Sequence, residues 1–589
     1  MHKKNIIALA IIALLVFLNC VGNGFVGDDE ILFVKNPFFR SWANFPKIFT
    51  SEYTADQEAI FNEQKEGMNS GSVAYRPVLS ASFFLDYWLW KDKPFGYHAQ
   101  NVLIHIINTA LVYFFIFFIM KDKAVAFISA LLFCVHPLRS EAVASIGYRA
   151  DSLAALFVLA ALLCYGHYRE SSRRSSYFLS HVLFFLSVFT KESAVVYPGL
   201  IISFDWLIRK EEPRDILKHA LSRYTGFVLI LAFYLYVYIN IFPNPSFEGG
   251  ISSLANSIKL QAVTIFHIFS HYLEVFLFPF LVKQLPPLYE PPIEALWGVK
   301  TWLSLGVFFG FIFCVFQAYK RDRKLSFFLL WFLICFIPVS NIIVIANPMA
   351  YRFMYLPSIG LSAALVILCV KLKDRVAFFK IYHRVPKMIA TGYIVLCVIL
   401  TVLLNFNWRD NTMMAFAMVK DFPDYPITNL HAGMEYLNAG MTEEAKKLVH
   451  KSVKLGVQDP RGYYLMGLLS NDLNTAQAYL EESVRAFPTY SDSYLVLGRI
   501  HLIKKEFPQA RHYLDKSIQL APRWIAFAYL IHMHLLEKEH IQAQELMERA
   551  EELLAPAEYE QLRRAYSLLQ KDPNDLPVEF PDISSFVSH

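Results

Sequence analysis

Apolar and polar residues alternate on two different scales along this chain. Between Asn5 and Phe406 the apolar residues gather into long runs, and runs of about 18–22 residues match the ~30 Å hydrocarbon core of a bilayer. Hydropathy predicts helices near 5–25, 97–119, 124–138, 142–166, 176–190, 193–208, 222–242, 300–318, 325–346, 353–371 and 387–406, eleven spans in all. Beyond Trp408 no such run follows. There the apolar positions recur at helical spacing in short amphipathic segments, the pattern of water-soluble helices packed on one another. The expected fold is all-α: a polytopic membrane domain over 1–406 with a first outer loop at 26–96, a linker at 407–422, helical repeats over 423–570 and a tail at 571–589.

The second region repeats itself. Gly433, Gly467 and Gly498 each open a similar unit, followed by Ala445, Ala476 and Ala510, then Ser452, Ser483 and Ser517, then Pro488 and Pro522. The glycines are spaced by 34 and 31 residues and the alanines by 31 and 34, so one unit is shortened by three residues between Gly467 and Ala476. A period near 34 with small residues at helix contacts is that of tetratricopeptide (TPR) hairpins. A fourth, degenerate unit runs through Ala543, and 555–570 suits a capping helix. Arrays of this kind hold extended peptides or partner helices in a concave groove; a purely structural cap on the membrane domain is the plainer alternative.

Composition sharpens the division. The chain is 55% hydrophobic and 18% charged, against about 25% charged in a typical soluble domain. A net charge of +5 is too small to point to nucleic acid. All seven cysteines lie inside apolar stretches, leaving no disulfide framework or zinc spacing. The start reads as an uncleaved first membrane helix, because no small-residue cleavage site closes it. Basic residues cluster at Lys3–Lys4, Lys121/Lys123, Arg169 to Arg174, Arg209 to Arg223, Lys320 to Lys324 and Lys371 to Lys387. These are alternate loops, so the positive-inside rule predicts a cytoplasmic N-terminus and an extracytoplasmic C-terminus. The count holds if 255–283, also apolar, forms an interfacial helix or a non-crossing hairpin on the outer face.

The outer ends of the helices carry the candidate chemistry. Charged groups at membrane depth cost several kcal/mol and are functional candidates by default. Gly27-Asp28-Asp29-Glu30 follows the first span; two adjacent carboxylates at a helix end can supply a general base or hold a divalent cation. His98, Asn101, His105 and Asn108 form one stripe on a helix, suited to a pocket or to interhelical hydrogen bonds. His136 to Glu141 make an outer turn followed by Arg149 and Asp151, which can pair with each other, while Arg149 can equally meet an anion. Arg76, Lys191-Glu192 and Arg352 sit on the same face. His267, His271 and Glu274 share a helix face with metal-like spacing, although lipid-headgroup contact or packing explains them as well.

Several of these segments match a family. Phe25 to Pro37 (FVGDDEILFVKNP), Tyr75-Arg76-Pro77, Pro94 to His98, Val135 to Asp151 (VHPLRSEAVASIGYRAD), Thr190-Lys191-Glu192, Phe336 to Asn341 and Tyr355 to Ser358 resemble, in order, the transmembrane and tetratricopeptide-repeat O-mannosyltransferases. These are GT-C glycosyltransferases, which take a sugar from a polyprenyl-phosphate carrier. The chain departs from the pattern at Tyr351 and over Lys283 to Pro287. The resemblance implies an inverting transfer with Asp28 or Asp29 as the catalytic carboxylate. Arg149, Lys191 and Arg352 would neutralise the donor phosphate. Asp151 and Glu192 would orient them, with Arg76, His98, His136 and Glu141 lining the sugar or acceptor pocket. A divalent cation, if used, would sit at Asp28 and Asp29. The partners implied are a polyprenyl-phosphate sugar and a protein or glycan acceptor brought by the repeats, in a bacterial inner membrane with a periplasmic tail or its endoplasmic-reticulum equivalent. A non-catalytic envelope scaffold and a transporter are the rival readings; the membrane part shows no internal repeat of the kind transporters carry.

Overall fold

The computed structural model describes residues 2–29, 32–33, 37–50, 75–241, 258–284, 298–342, 348–375 and 384–571. Glu30 of the acidic cluster, part of the first outer loop and tail residues 572–589 lie outside them. Among the described residues all regular structure is helical. The chain divides into two compact units, Met1–Met414 and Ala415–His589.

Each predicted span of the first unit has its helix. Six are long and apolar enough to cross a membrane: His2–Gly22, Pro94–Met120, Arg149–Ser171, Ala220–Ile241, Val299–Arg321 and Val385–Phe406. A seventh results if Lys123–Val135 and Pro137–Ala144, bent by 60°, count as one span. The remaining predicted spans form the shorter helices Arg174–Val188, Tyr197–Leu207, Arg323–Phe336 and Pro357–Arg375. At about 1.5 Å per residue, a 14-residue helix such as Arg323–Phe336 reaches roughly 21 Å, well below the ~30 Å core. What shortens these elements is a set of 3₁₀ turns, Pro137–Arg139, Glu192–Val196, Ile337–Val339 and Tyr351–Met354. They pack in pairs, the first against the last and the second against the third. Capping fixes the opposite ends. Asp122 accepts from the N–H groups of Ala124 and Val125, and Asp322 from those of Lys324 and Leu325, satisfying the free donors of a helix start.

Two sequence expectations need correction here. The helix expected at 142–166 begins at Arg149, and residues 145–148 are non-helical. Asn101 Nδ2 takes the carbonyls of Val143 and Ser145 at 3.3 and 2.9 Å, acceptors that a continuous helix would use itself. The first outer loop also holds a helix, Pro77–Trp90. It rests on a separate aromatic core of Phe33, Phe38, Phe39, Phe83, Phe84 and Tyr97. The 255–283 segment contains the helix Ile258–Leu277, which is not among the six. Its Phe269 packs its ring against Phe308, Phe332 and Phe336.

The long helices differ in what surrounds them. Arg149–Ser171 is 61% buried within the protein, whereas Val299–Arg321 is only 11% buried, with Trp302, Leu303, Phe309 and Phe313 exposed. The polar stripe of Pro94–Met120 faces inward and bonds between helices. His105 joins Tyr355 Oη at 2.7 Å and the Cys134 carbonyl at 3.1 Å, and Asn108 donates to Ser152 O and Tyr355 Oη at 2.7 and 3.1 Å.

The second unit is a run of antiparallel helix pairs: Pro426–Asn438 with Thr442–Lys454, Pro460–Leu468 with Leu473–Ala486, Ser491–Ile503 with Phe507–Leu520 and Trp524–Leu536 with His540–Leu553, followed by Pro556–Lys571. The repeated glycines have a packing reason. A methyl group at Gly433, Gly467 or Gly498 would lie 2.6, 2.7 or 2.5 Å from Val449, Leu480 or Leu514 of the paired helix. The repeated serines return to the first helix of each pair: Ser452 Oγ donates to Pro426 O at 2.7 Å, Ser483 to Pro460 O at 3.5 Å and Ser517 to Ser491 O at 3.2 Å.

Candidate active site

The 3₁₀ turns and the acidic loop bring most of the predicted residues to one place, and their hydrogen bonds sort them into two groups. Arg149 is fully buried. It pairs with Asp86 of the Pro77–Trp90 helix, donates from Nε to Asn101 Oδ1 at 2.5 Å and from Nη2 to Tyr97 O at 3.0 Å, reaches Ser82 Oγ at 3.4 Å, and lies over the Phe83 ring. The expected pair with Asp151 is therefore replaced by one with Asp86, and the guanidinium that was a phosphate candidate is committed to the protein. His136 is likewise committed: Nε2 donates to Phe276 O at 3.0 Å, while Nδ1 accepts from the Leu138 N–H. His98 Nε2 holds the Gly24 carbonyl at 3.1 Å, steadying the acidic loop.

In the second group Arg76, Glu192 and Arg352 keep part of their surface in solvent, while Lys191, Asp151 and Glu141 are buried. Lys191 Nζ pairs with Asp151 at 2.6 Å. Burial pushes the Lys191 ammonium below its ordinary value, Asp151 and Glu192 oppose that shift, and Arg76 and Arg352 add to it. Arg76 forms a bidentate pair with Glu192, at 3.1 and 2.8 Å. Partial burial would raise the Glu192 carboxyl, but Arg76 and Lys191 hold it down to about 2. Arg352 pairs with buried Glu141, whose second oxygen takes the Arg352 backbone N–H at 2.8 Å. The Arg352 guanidinium covers the Tyr148 ring at 3.9 Å, and Phe353 lies about equally under Arg352 and Lys191, at 5.1 and 5.0 Å. Asp151, Ala155, Val158, Ser193, Phe353 and Leu356 help line a small cavity with room for about one water molecule.

The two adjacent aspartates differ. Asp29 is buried, accepting from the backbone N–H groups of Gly147 at 2.7 Å and of Val26 and Ile146 at 3.4 Å. Burial drives its carboxyl up to about 7, with the three N–H groups opposing and Asp28 adding to the rise. Asp28 is exposed. The Arg352 guanidinium and the Tyr148 hydroxyl face it. With Asp29 turned into the backbone, the pair does not form a two-carboxylate cage for a cation. Among the described residues, the one group of three ligands close enough to share an ion is His534, Glu537 and Glu539 in the repeats, where Arg511 already lies 3.6 Å from both glutamates. The His267, His271 and Glu274 face is no such group: His267 meets Thr301, and His271 stands 3.7 Å from Glu274.

Sequence reasoning missed Asp86, Tyr148 and Arg139. Asp86 had a signal, as the lone charge in an otherwise apolar FFLDYW segment. Tyr148 sat inside the matched GYRAD motif. Arg139 is buried and donates to the carbonyls of Tyr355 and Met354 and to Ser358 Oγ at 2.9, 3.2 and 2.7 Å, fixing the turn that presents Arg352.

Taken together, these features define a polytopic all-α membrane protein with an array of helical hairpins and a face of paired charges beside one exposed carboxylate. No protein-family model matches the chain. It is similar to the protein O-mannosyl-transferase F38B6.6 of Caenorhabditis elegans, 24% identical over 464 residues that cover 77% of this chain and 63% of the relative. Human protein O-mannosyl-transferase TMTC1 is 33% identical over 193 residues, 31% of this chain and 21% of the relative. Human TMTC2 is 31% identical over 154 residues, 26% and 18%. The resemblance read from the sequence is thus borne out in its relatives, although the chain spans only 63% of the worm protein and about a fifth of the human ones.

Proposed function

We propose that this chain is a membrane glycosyltransferase that moves a sugar from a polyprenyl-phosphate carrier to a hydroxyl of a protein or glycan acceptor on the extracytoplasmic face. The names of its relatives make mannose the first sugar to test. The observation that carries the reading is the exposed Asp28 carboxylate beside Arg352, a base next to a fixed cation. The acceptor hydroxyl passes its proton to an Asp28 oxygen as its own oxygen bonds to the anomeric carbon. The bond from that carbon to the phosphate oxygen breaks, and the carrier phosphate leaves with the electron pair. Arg352, Lys191 and Arg76 spread the growing negative charge, while Glu141, Asp151 and Glu192 hold those cations in place. A single displacement inverts the anomeric centre. Loop charges support the orientation, with the acidic cluster outside, and the repeats would recruit the acceptor.

The test is transfer of labelled mannose from polyprenyl-phosphate-mannose to a serine- and threonine-rich peptide by the purified full-length protein. Asp28→Asn is expected to lower kcat by about 10³-fold or more, in the range of losing a general base outright. Full activity in that variant would overturn the assignment.

A further inference from the structure

The loop that carries Asp28 is held by residues far away in sequence. Where the Val385–Phe406 helix ends, the chain runs back against the first helix and its loop. Asn405 Nδ2 donates to Val16 O at 3.1 Å, the Arg409 carbonyl accepts from the Gly24 N–H at 2.9 Å, and Asn411 Oδ1 accepts from the Gly27 N–H at 2.8 Å. Gly27 is in the left-handed region, with φ +59°, where a side chain would be strained. It is the residue just before Asp28, so this bond sets the peptide from which the carboxylate projects. On the other side Trp408, 4% exposed, meets the Tyr148 ring edge-on at 6.0 Å, and the Tyr148 hydroxyl faces Asp28.

The geometry points to Tyr148 and Asn411 as positioning residues that fix the Asp28 carboxylate, so that residues 408–411, the stretch leading into the repeats, belong to the active site. This rests on the reading of Asp28 as the base. An exposed aspartate is not held by packing and samples several rotamers. A base displaced by about 1 Å can lose ~10²-fold in rate. Two contacts limit that freedom, the Tyr148 hydroxyl facing the carboxylate and the Asn411 bond to the preceding peptide. The charged and titratable groups around Asp28 are Arg352 and Tyr148, then Asp29 and, through Arg352, Glu141. A hydroxyl dipole facing the ionised carboxylate favours that form, so its loss raises the carboxyl's pKa.

The experiment measures kcat and acceptor KM against pH for the full-length protein with polyprenyl-phosphate-mannose and the same peptide. For Tyr148→Phe, kcat is expected to fall about 10- to 100-fold with acceptor KM unchanged, and the acid limb of the profile to move to higher pH. Asn411→Ala is expected to lose about 10-fold in kcat, and Asn411→Asp, which keeps an oxygen for the Gly27 N–H, to recover most of it. An unmoved acid limb in Tyr148→Phe, or an Asn411→Asp no better than Asn411→Ala, overturns the inference. If Asp28→Asn is inactive while both positioning variants match wild type, the inference falls alone. If Asp28→Asn is active, the base assignment falls first and takes the inference with it. Should Tyr148→Phe not fold, the two Asn411 variants decide.

Discussion

Arg149 and Arg352 stand on the same face of the membrane domain and have opposite surroundings. Arg149 is sealed: its donors go to Asp86, Asn101, Ser82 and the Tyr97 carbonyl, and none of its surface reaches solvent. Arg352 has one carboxylate partner, Glu141, an aromatic ring beneath it and the exposed Asp28 nearby. Both arginines look equally functional in the sequence. An accounting of donors and acceptors separates them: an arginine with every donor spent inside the protein builds the fold, and one with donors left over can meet a ligand.

The comparison can be broken most forcefully at Asp86. Asp86→Ala leaves Arg149 buried and uncompensated, which is expected to cost about 3–5 kcal/mol of stability, read as a large loss of thermal stability or of folded protein; a stable, folded variant would mean that Arg149 is not sealed. Next comes one substitution made at both sites. Arg149→Lys replaces a fork that serves four acceptors by a single ammonium and is expected to cost about 2–3 kcal/mol. Arg352→Lys keeps the charge beside Glu141, so stability should change by less than about 1 kcal/mol while transfer falls about 10-fold. Equal stability losses at the two positions would remove the distinction.

A smaller effect concerns pH. The Asp29 carboxyl titrates near 7 in the folded protein and at about 3.9 when unfolded. Between those values the folded state keeps a proton that the unfolded state has released, so this contribution is complete below about pH 4 and is lost as pH rises through 7. Thermal unfolding of wild type against Asp29→Asn, followed from pH 5 to 8, should therefore show a gap that narrows by an amount on the order of 1 kcal/mol. A gap independent of pH would place the Asp29 carboxyl in its ordinary range. The smallest effect is expected in the repeats. Gly467→Ala pushes a methyl against Leu480 and should cost about 1 kcal/mol, with transfer unchanged if the two regions act separately in this respect.

The helices of both regions were legible because their signals are local. Apolar runs marked the spans, and the Gly, Ala and Ser register marked the repeats, where each small residue meets its partner within one hairpin. The ion pairs were legible only as membership of a face. Arg149 could not be assigned to Asp86 rather than Asp151 without the fold, because the Pro77–Trp90 helix that brings Asp86 lies in a segment with no span signal. The stretch 145–148 read as helix because its residues are apolar or small. Its backbone is instead claimed by two polar side chains, Asn101 taking the Ser145 carbonyl and Asp29 the Gly147 N–H. Such bonds across distant segments leave no mark on periodicity. For the same reason, nothing in the sequence separated Asp28 from Asp29.

The Val299–Arg321 helix has a consequence for how the protein responds to its surroundings. With 11% of its apolar window buried, against 61% for Arg149–Ser171, it is left uncovered by the described residues over most of its length. Its outward Trp, Leu and Phe residues are interchangeable with other apolar side chains, since lipid tails make no particular fit. A helix with few packing neighbours is freer to adjust its tilt when bilayer thickness changes. Thickening or thinning the membrane is therefore felt first at this helix, while Arg149 and Asp151 ride on the helix that the protein covers most, Arg149–Ser171.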